Sequence, residues 1–131
     1  MRFSDTLVRT LLGLIGVGFL CGYALPLLFA PIRWARWLGW RAPDEVKLTV
    51  YLGRCVGALA LVITALTLRA AVAPVAHGET VDLLIGTGAV MTAVHVWGAV
   101  ERVQPLAETL EIALYLVLTG LLCVARVSLY S

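Results

Sequence analysis

Apolar residues in this chain do not mark one face of each helix; they fill four long stretches almost completely, and the polar residues gather in the breaks between them. Thr10–Ile32 carries no charge at all, and Cys55–Leu68 is another fourteen residues without one. A bilayer core about 30 Å thick takes roughly 20 apolar residues at a helical rise of about 1.5 Å. The pattern predicts an all-α integral membrane protein with spans at about 7–30, 43–71, 79–103 and 105–129, forming a single domain over 1–131. The first stretch follows Arg2 and Arg9 as a signal peptide would. It is too long for that, because secretory apolar regions run about 7–15 residues before a cleavage site.

The breaks carry helix-start signals. Pro43 with Asp44 and Glu45 suits a first helical turn, Glu79 and Asp82 open the third helix, and Gln104-Pro105 separates the third from the fourth. Between the first two spans, Trp34, Trp37 and Trp40 alternate with Arg33, Arg36 and Arg41. Indole rings favour the headgroup level and guanidinium groups reach phosphates, so these tryptophans are expected to anchor a short interfacial segment. Short connections make successive spans antiparallel, an up-down four-helix bundle with both termini on one side. Basic residues lean five to four (Arg33, Arg36, Arg41, Lys47, Arg102 against Arg2, Arg9, Arg69, Arg126) toward a cytoplasmic Trp-rich loop. The expected location is a plasma membrane, of the bacterial inner-membrane type.

Composition narrows the function classes. With 61% hydrophobic and 14% charged residues, the chain requires lipid as its solvent and leaves no room for a soluble domain. A net charge of +2, scattered over loops, gives no footprint for nucleic acid. Cys21, Cys55 and Cys123 sit in different stretches without metal-ligand spacing and are expected as small buried apolar residues. No phosphate loop, nucleophile elbow or HExxH motif occurs, so no catalytic residues and no metal ligands are assigned. Gly18-x-x-x-Gly22 and Gly53-x-x-x-Gly57 have the spacing that lets helices approach closely in lipid.

The charges inside the spans carry the remaining signal. Only fourteen uncharged residues, about 21 Å of helix, separate Glu111 from Arg126, so one of the two intrudes into the membrane, and the longer arginine reaches out more easily. Arg54 lies seven residues in from Lys47, His95 eight before Val103, and Glu111 six after Pro105. On antiparallel helices these three share one depth, roughly 10–12 Å from the same face. Tyr51 and Tyr115 line the same level, with Glu101, Arg102 and Glu108 nearer the surface. This set predicts either a polar pocket for a proton, quinone headgroup or lipid phosphate, or a buried Arg54–Glu111 pair that locks helix order with His95 bonded to a backbone carbonyl and Glu108 complementing its helix dipole. A single-histidine haem or pigment at His95 is a minor alternative.

Size and span number resemble the small multidrug-resistance transporters, but those carry their essential carboxylate in the first helix, where this chain has none. Small fluoride channels have a similar length, and their Thr/Ser/Phe-rich signature is missing. Tyr51-Leu52-Gly53-Arg54 with His95 and Glu101 resembles small tetraspan accessory and redox-associated membrane families, a likeness that transfers no residue role. The expected function is therefore a non-enzymatic accessory or scaffold subunit without a cofactor, partnered by membrane lipids and by other membrane subunits or copies of itself. The alternative is a ligand-handling protein, a small transporter or a quinone- or lipid-binding redox component, with Arg54, His95 and Glu111 as its site.

Overall fold

Pro26 shapes the first helical stretch. In the computed structural model, which describes residues 3–130, α1 (Phe3–Phe19) passes into one π turn (Leu20–Ala24) and then into α2 (Leu25–Phe29). A proline offers no N–H to the carbonyl four residues back, and its ring crowds that carbonyl. Here the carbonyl is that of Gly22, which accepts the Trp34 indole N–H at 2.7 Å instead. The π turn, closed by Leu25 N–H to Leu20 O, absorbs the mismatch. Arg2, one of the flanking basic residues, lies outside the described residues.

After Ala30 the chain folds back as α3 (Pro31–Trp37) and crosses a loop to α4 (Lys47–Val72). The second helix thus begins four residues later than Pro43 suggests. Residues 40–46 stay non-helical, and the Glu45 carboxylate accepts the Lys47 N–H at 2.9 Å, so the acidic pair caps the helix from outside it. A short 3₁₀ turn at Val75–His77 leads into α5 (Gly78–Glu101), and α6 (Leu106–Ser128) follows. No strand occurs among the described residues. Four helical stretches, Asp5–Phe29, Lys47–Val72, Val75–Glu101 and Leu106–Ser128, are long and apolar enough to cross a membrane.

The two ends of the molecule are built differently. Val8, Leu12 and Ile15 of α1, Ala70 of α4, Val81 and Leu84 of α5, and Leu122 and Ala125 of α6 form one buried cluster near the termini and the 73–77 connection. Bidentate bonds from Arg126 to Asp82, at 2.6 and 3.0 Å, tie α6 to α5 at that end, and the guanidinium lies 4.5 Å from the Tyr130 ring centroid. Arg9 reaches across from α1 to the Val72 carbonyl at the end of α4. His77, in the connection between α4 and α5, has a side chain 18% exposed, accepts the Arg69 Nε–H at 3.2 Å and faces Glu79.

Close helix approach occurs at one of the two glycine pairs. At Gly57 a β-carbon would lie 2.5 Å from Leu28 N, and at Gly53 one would lie 2.6 Å from Pro31 Cβ, so α4 packs directly on the backbone of α2 and the start of α3. At Gly18 and Gly22, by contrast, an added β-carbon would meet nothing within 4 Å, so that pair takes no close helix approach from within the chain. The free cysteines also differ from expectation: Cys21, Cys55 and Cys123 are all exposed on the outer surface. In a chain this apolar the outer face is as hydrophobic as the core, so side-chain polarity does not tell the two apart.

Two substitutions separate these environments. Gly57→Leu must displace α2 and is expected to cost about 1–3 kcal/mol in detergent unfolding. Gly120→Leu, at a glycine with open space around it, is expected to change stability by less than about 0.5 kcal/mol. Equal losses would contradict the packing described for α4.

Candidate functional site

A left-handed residue sets up the site. α5 ends with Arg102 at φ 56°, its N–H bonded to Ala99 O and that of Val103 to Gly98 O, which is the Schellman pattern with arginine where glycine is usual. The reversal lays Gln104 over the helix end, where its amide donates to His95 O at 2.9 Å and to Thr109 Oγ1 at 3.1 Å. Gly98 makes this possible, because a β-carbon there would collide with the Gln104 side chain. Pro105 then starts α6 with Glu108 and Glu111 three residues apart, on one face and turned toward α5.

Between them stands His95, 5% exposed. Its Nδ1 lies 2.7 Å from Met91 O, and a carbonyl only accepts, so Nδ1 carries the hydrogen. Its Nε2 lies 3.0 Å from Glu108 Oε2 and 3.4 Å from Glu111 Oε2. An imidazole lone pair facing two carboxylate oxygens is repulsive unless a proton or a cation lies between them. Glu108 uses its other oxygen to accept the Trp40 indole N–H at 2.9 Å, which holds the residue 38–46 loop over the site. Both glutamates are mostly enclosed, at 13% and 12% side-chain exposure, and neither forms an ion pair with lysine or arginine among the described residues.

Aromatic rings continue the site inward. The Tyr115 ring centroid is 5.1 Å from that of His95, Phe19 is 6.0 Å from Tyr115 and stacks on Tyr23 at 4.9 Å, and Tyr23 meets Trp34 edge-on at 5.5 Å. The Tyr23 hydroxyl lies against the Glu111 carboxylate and beside the hydroxyl of Tyr115. Beneath these hydroxyls a partly open cavity of about 230 Å³ is walled by all four long stretches, with Phe19, Tyr23, Met91, Tyr115, Thr64 and Thr119 on its lining. The Thr119 hydroxyl is a buried oxygen with no hydrogen-bond partner. An acidic, hydrogen-bonding roof over an apolar chamber is the resulting arrangement.

The structure joins part of the set inferred from sequence and separates the rest. His95, Glu108, Glu111 and Tyr115 come together. Arg54 does not join them: it is exposed and enters no ion pair among the described residues, so the expected Arg54–Glu111 pair is absent. Tyr51 and Glu101 are likewise exposed. Counting residues inward from a helix end gives depth but not azimuth; α4 buries Gly57, Thr64 and Thr67, and Arg54 projects off the side of that face. Glu108, the residue read most strongly as a helix-dipole partner, is the carboxylate nearest His95.

The tryptophans also divide. Trp37 is exposed, as an interfacial anchor would be, whereas Trp34 and Trp40, the latter also exposed, donate their N–H groups to Gly22 O and Glu108 of the same chain. Tyr23, Gln104 and the second-layer role of Trp40 were missed from sequence. Tyr23 carried the one available signal, a ring hydroxyl within the otherwise apolar first span. No family model, no curated protein and no solved structure matches this chain.

If the roof acts as one unit, His95→Ala and Glu111→Gln are non-additive in detergent unfolding, coupled by about 0.5–3 kcal/mol. Arg54→Leu combined with Glu111→Gln is expected to be additive within about 0.5 kcal/mol. A coupled Arg54–Glu111 cycle would restore the ion pair that the geometry lacks.

Proposed function

We propose that this chain is an integral membrane protein that binds a small amphipathic molecule of the quinone class, its polar head at His95, Glu108 and Glu111 and its hydrocarbon part in the chamber below. The observation that carries this reading is that Tyr23 and Tyr115 line the apolar cavity and also lie beside the acidic group, which stands next to the cavity. Ligand sites are concave, largely apolar and furnished with a few convergent polar groups. Carboxylates accept hydrogen bonds from the hydroxyls of a reduced ring, and tyrosine hydroxyls donate to the carbonyls of an oxidised one, so both redox forms find partners. Arg54 has no part in this pocket.

The same reading places the chain across an inner, plasma-type membrane as an up-down bundle with both termini on one side, the residue 31–46 segment and the roof lying toward the opposite side. Charge inside such spans is expensive, and residues that keep it commonly serve ligands or proton movement. The His95–Glu108–Glu111 group meets that description, because its three polar residues sit where an apolar pair of helices would pack at lower cost.

A second reading, the accessory or scaffold subunit, is favoured by a different surface. Gly13, Gly18 and Gly22 leave the outer side of the first stretch open, and a helix of another subunit or of a second copy fits such a groove. The two readings are compatible, since they use different faces.

Protein purified in mild detergent is expected to carry an extractable quinone, identified by mass spectrometry. Ala60 of α4 also lines the chamber; Ala60→Phe, which fills it, and Glu111→Gln, which alters the roof, should each lower quinone occupancy at least about tenfold while helical content is retained. Equal occupancy in both variants and the parent would contradict the pocket reading. For the scaffold reading, Gly22→Leu is expected to dissociate a complex or oligomer seen by native mass spectrometry without changing the stability of the single chain.

A further inference from the structure

We propose that His95 Nε2, Glu108 Oε2 and Glu111 Oε2 form a binding site for one divalent transition-metal ion of the zinc class. The site uses the same three side chains as the pocket but does not depend on an amphipathic ligand being bound.

Distances come first. The three donor atoms lie within 4.8 Å of one another, with Nε2 at 3.0 and 3.4 Å from the two carboxylate oxygens. Around a tetrahedral ion with bonds of about 2.0–2.2 Å, neighbouring ligand atoms stand about 3.3–3.6 Å apart. The two separations from Nε2 lie at or just below that range and the two carboxylate oxygens are within 4.8 Å of each other, so an ion enters with side-chain adjustments on the order of an ångström.

Orientation is the second observation, and it is independent of the first. A metal-binding histidine almost always donates its other ring N–H to a carbonyl or carboxylate, which aims the remaining nitrogen at the ion. His95 does this through Met91 O. Metal-binding carboxylates are in turn held by hydrogen bonds. Glu108 is held in this way by Trp40. The outer layer of a metal centre is thus built from α5 and from the loop that follows α3, elements far apart in sequence.

Charge balance supplies the third. Two carboxylates and an imidazole converge in an enclosed site with no lysine or arginine paired to either acid among the described residues. A divalent cation neutralises both acids in one step. Donor chemistry then selects among cations: one nitrogen with two oxygens and no thiolate suits zinc and neighbouring divalent metals, whereas magnesium prefers an octahedral oxygen shell and copper(I) prefers sulfur. Three protein ligands leave a fourth position in a tetrahedral shell. Open-position sites of this kind hold a water or a ligand oxygen.

The test uses the full chain in detergent, stripped with chelator and titrated with zinc by calorimetry, and with cobalt as a visible-absorbance probe of tetrahedral coordination. One ion per chain is expected. His95→Ala and Glu111→Gln should weaken binding at least about 100-fold, and Trp40→Phe, which leaves all three ligands in place, about 10–100-fold. His77→Ala should leave affinity unchanged. Helical content and elution volume are read for each variant, and Trp40→Phe keeps the test decisive should a ligand variant fail to fold. No binding by the parent chain, or equal affinity in the parent, Glu111→Gln and Trp40→Phe, overturns the proposal. Since zinc is titrated without added amphipath, a protein that retains quinone but binds no zinc refutes the metal site alone, and one that binds zinc but retains no quinone refutes the pocket reading alone.

Discussion

Two glutamates and a histidine enclosed together need positive charge among them, and the upper half of this molecule is organised around that need. His95 Nε2 faces Glu108 and Glu111 at 3.0 and 3.4 Å while its Nδ1 is committed to Met91 O. In a low-dielectric interior such a convergence is costly unless a proton or a cation is shared. The left-handed turn at Arg102, the glycine at 98 and the π turn ahead of Pro26 all serve its geometry: the first two bring α6 and Gln104 onto α5, and the third widens the first helix at Leu20–Ala24, where Tyr23 lies against Glu111. Departures from regular helix in this protein therefore gather around the site, as strained or irregular backbone often does at functional positions.

The lower half answers a different requirement. Val8, Leu12, Val81 and Leu122 close the bundle near the termini, and Arg126 with Asp82 clamps its last two helices. The cavity borders this cluster, since Ile15, Leu84 and Leu122 belong to both, and extends from it to Tyr23 and Tyr115 beside the His95 group.

The sequence revealed the helices because unbroken apolar runs have few alternatives: all four long stretches lie within a few residues of the spans read from it. Boundaries were less legible. Pro43-Asp44-Glu45 looks like a first helical turn, yet Glu45 caps α4 from outside, because Trp40 is drawn to Glu108 and the chain must run non-helically to bring it there. Depth was readable as well, which is how His95 and Glu111 were placed at one level. Azimuth was not, and Arg54 was grouped with them for that reason although it is exposed and pairs with neither of them. Exposed cysteines and glycines escaped notice on the same ground, since an apolar outer surface erases the contrast that marks the inside of a soluble protein.

The central claim is that His95, Glu108 and Glu111 act as a single buried unit with hydrogen on Nδ1 and the shared charge at Nε2. Nitrogen-15 NMR of histidine-labelled protein in detergent, in a His77→Ala background so that one imidazole remains, reads both ring nitrogens directly. The account predicts a hydrogen-bearing Nδ1 that no glutamate substitution disturbs, and an Nε2 resonance that moves when either Glu108→Gln or Glu111→Gln is introduced. A ring whose Nδ1 bears no hydrogen, or an Nε2 resonance indifferent to both substitutions, would contradict it.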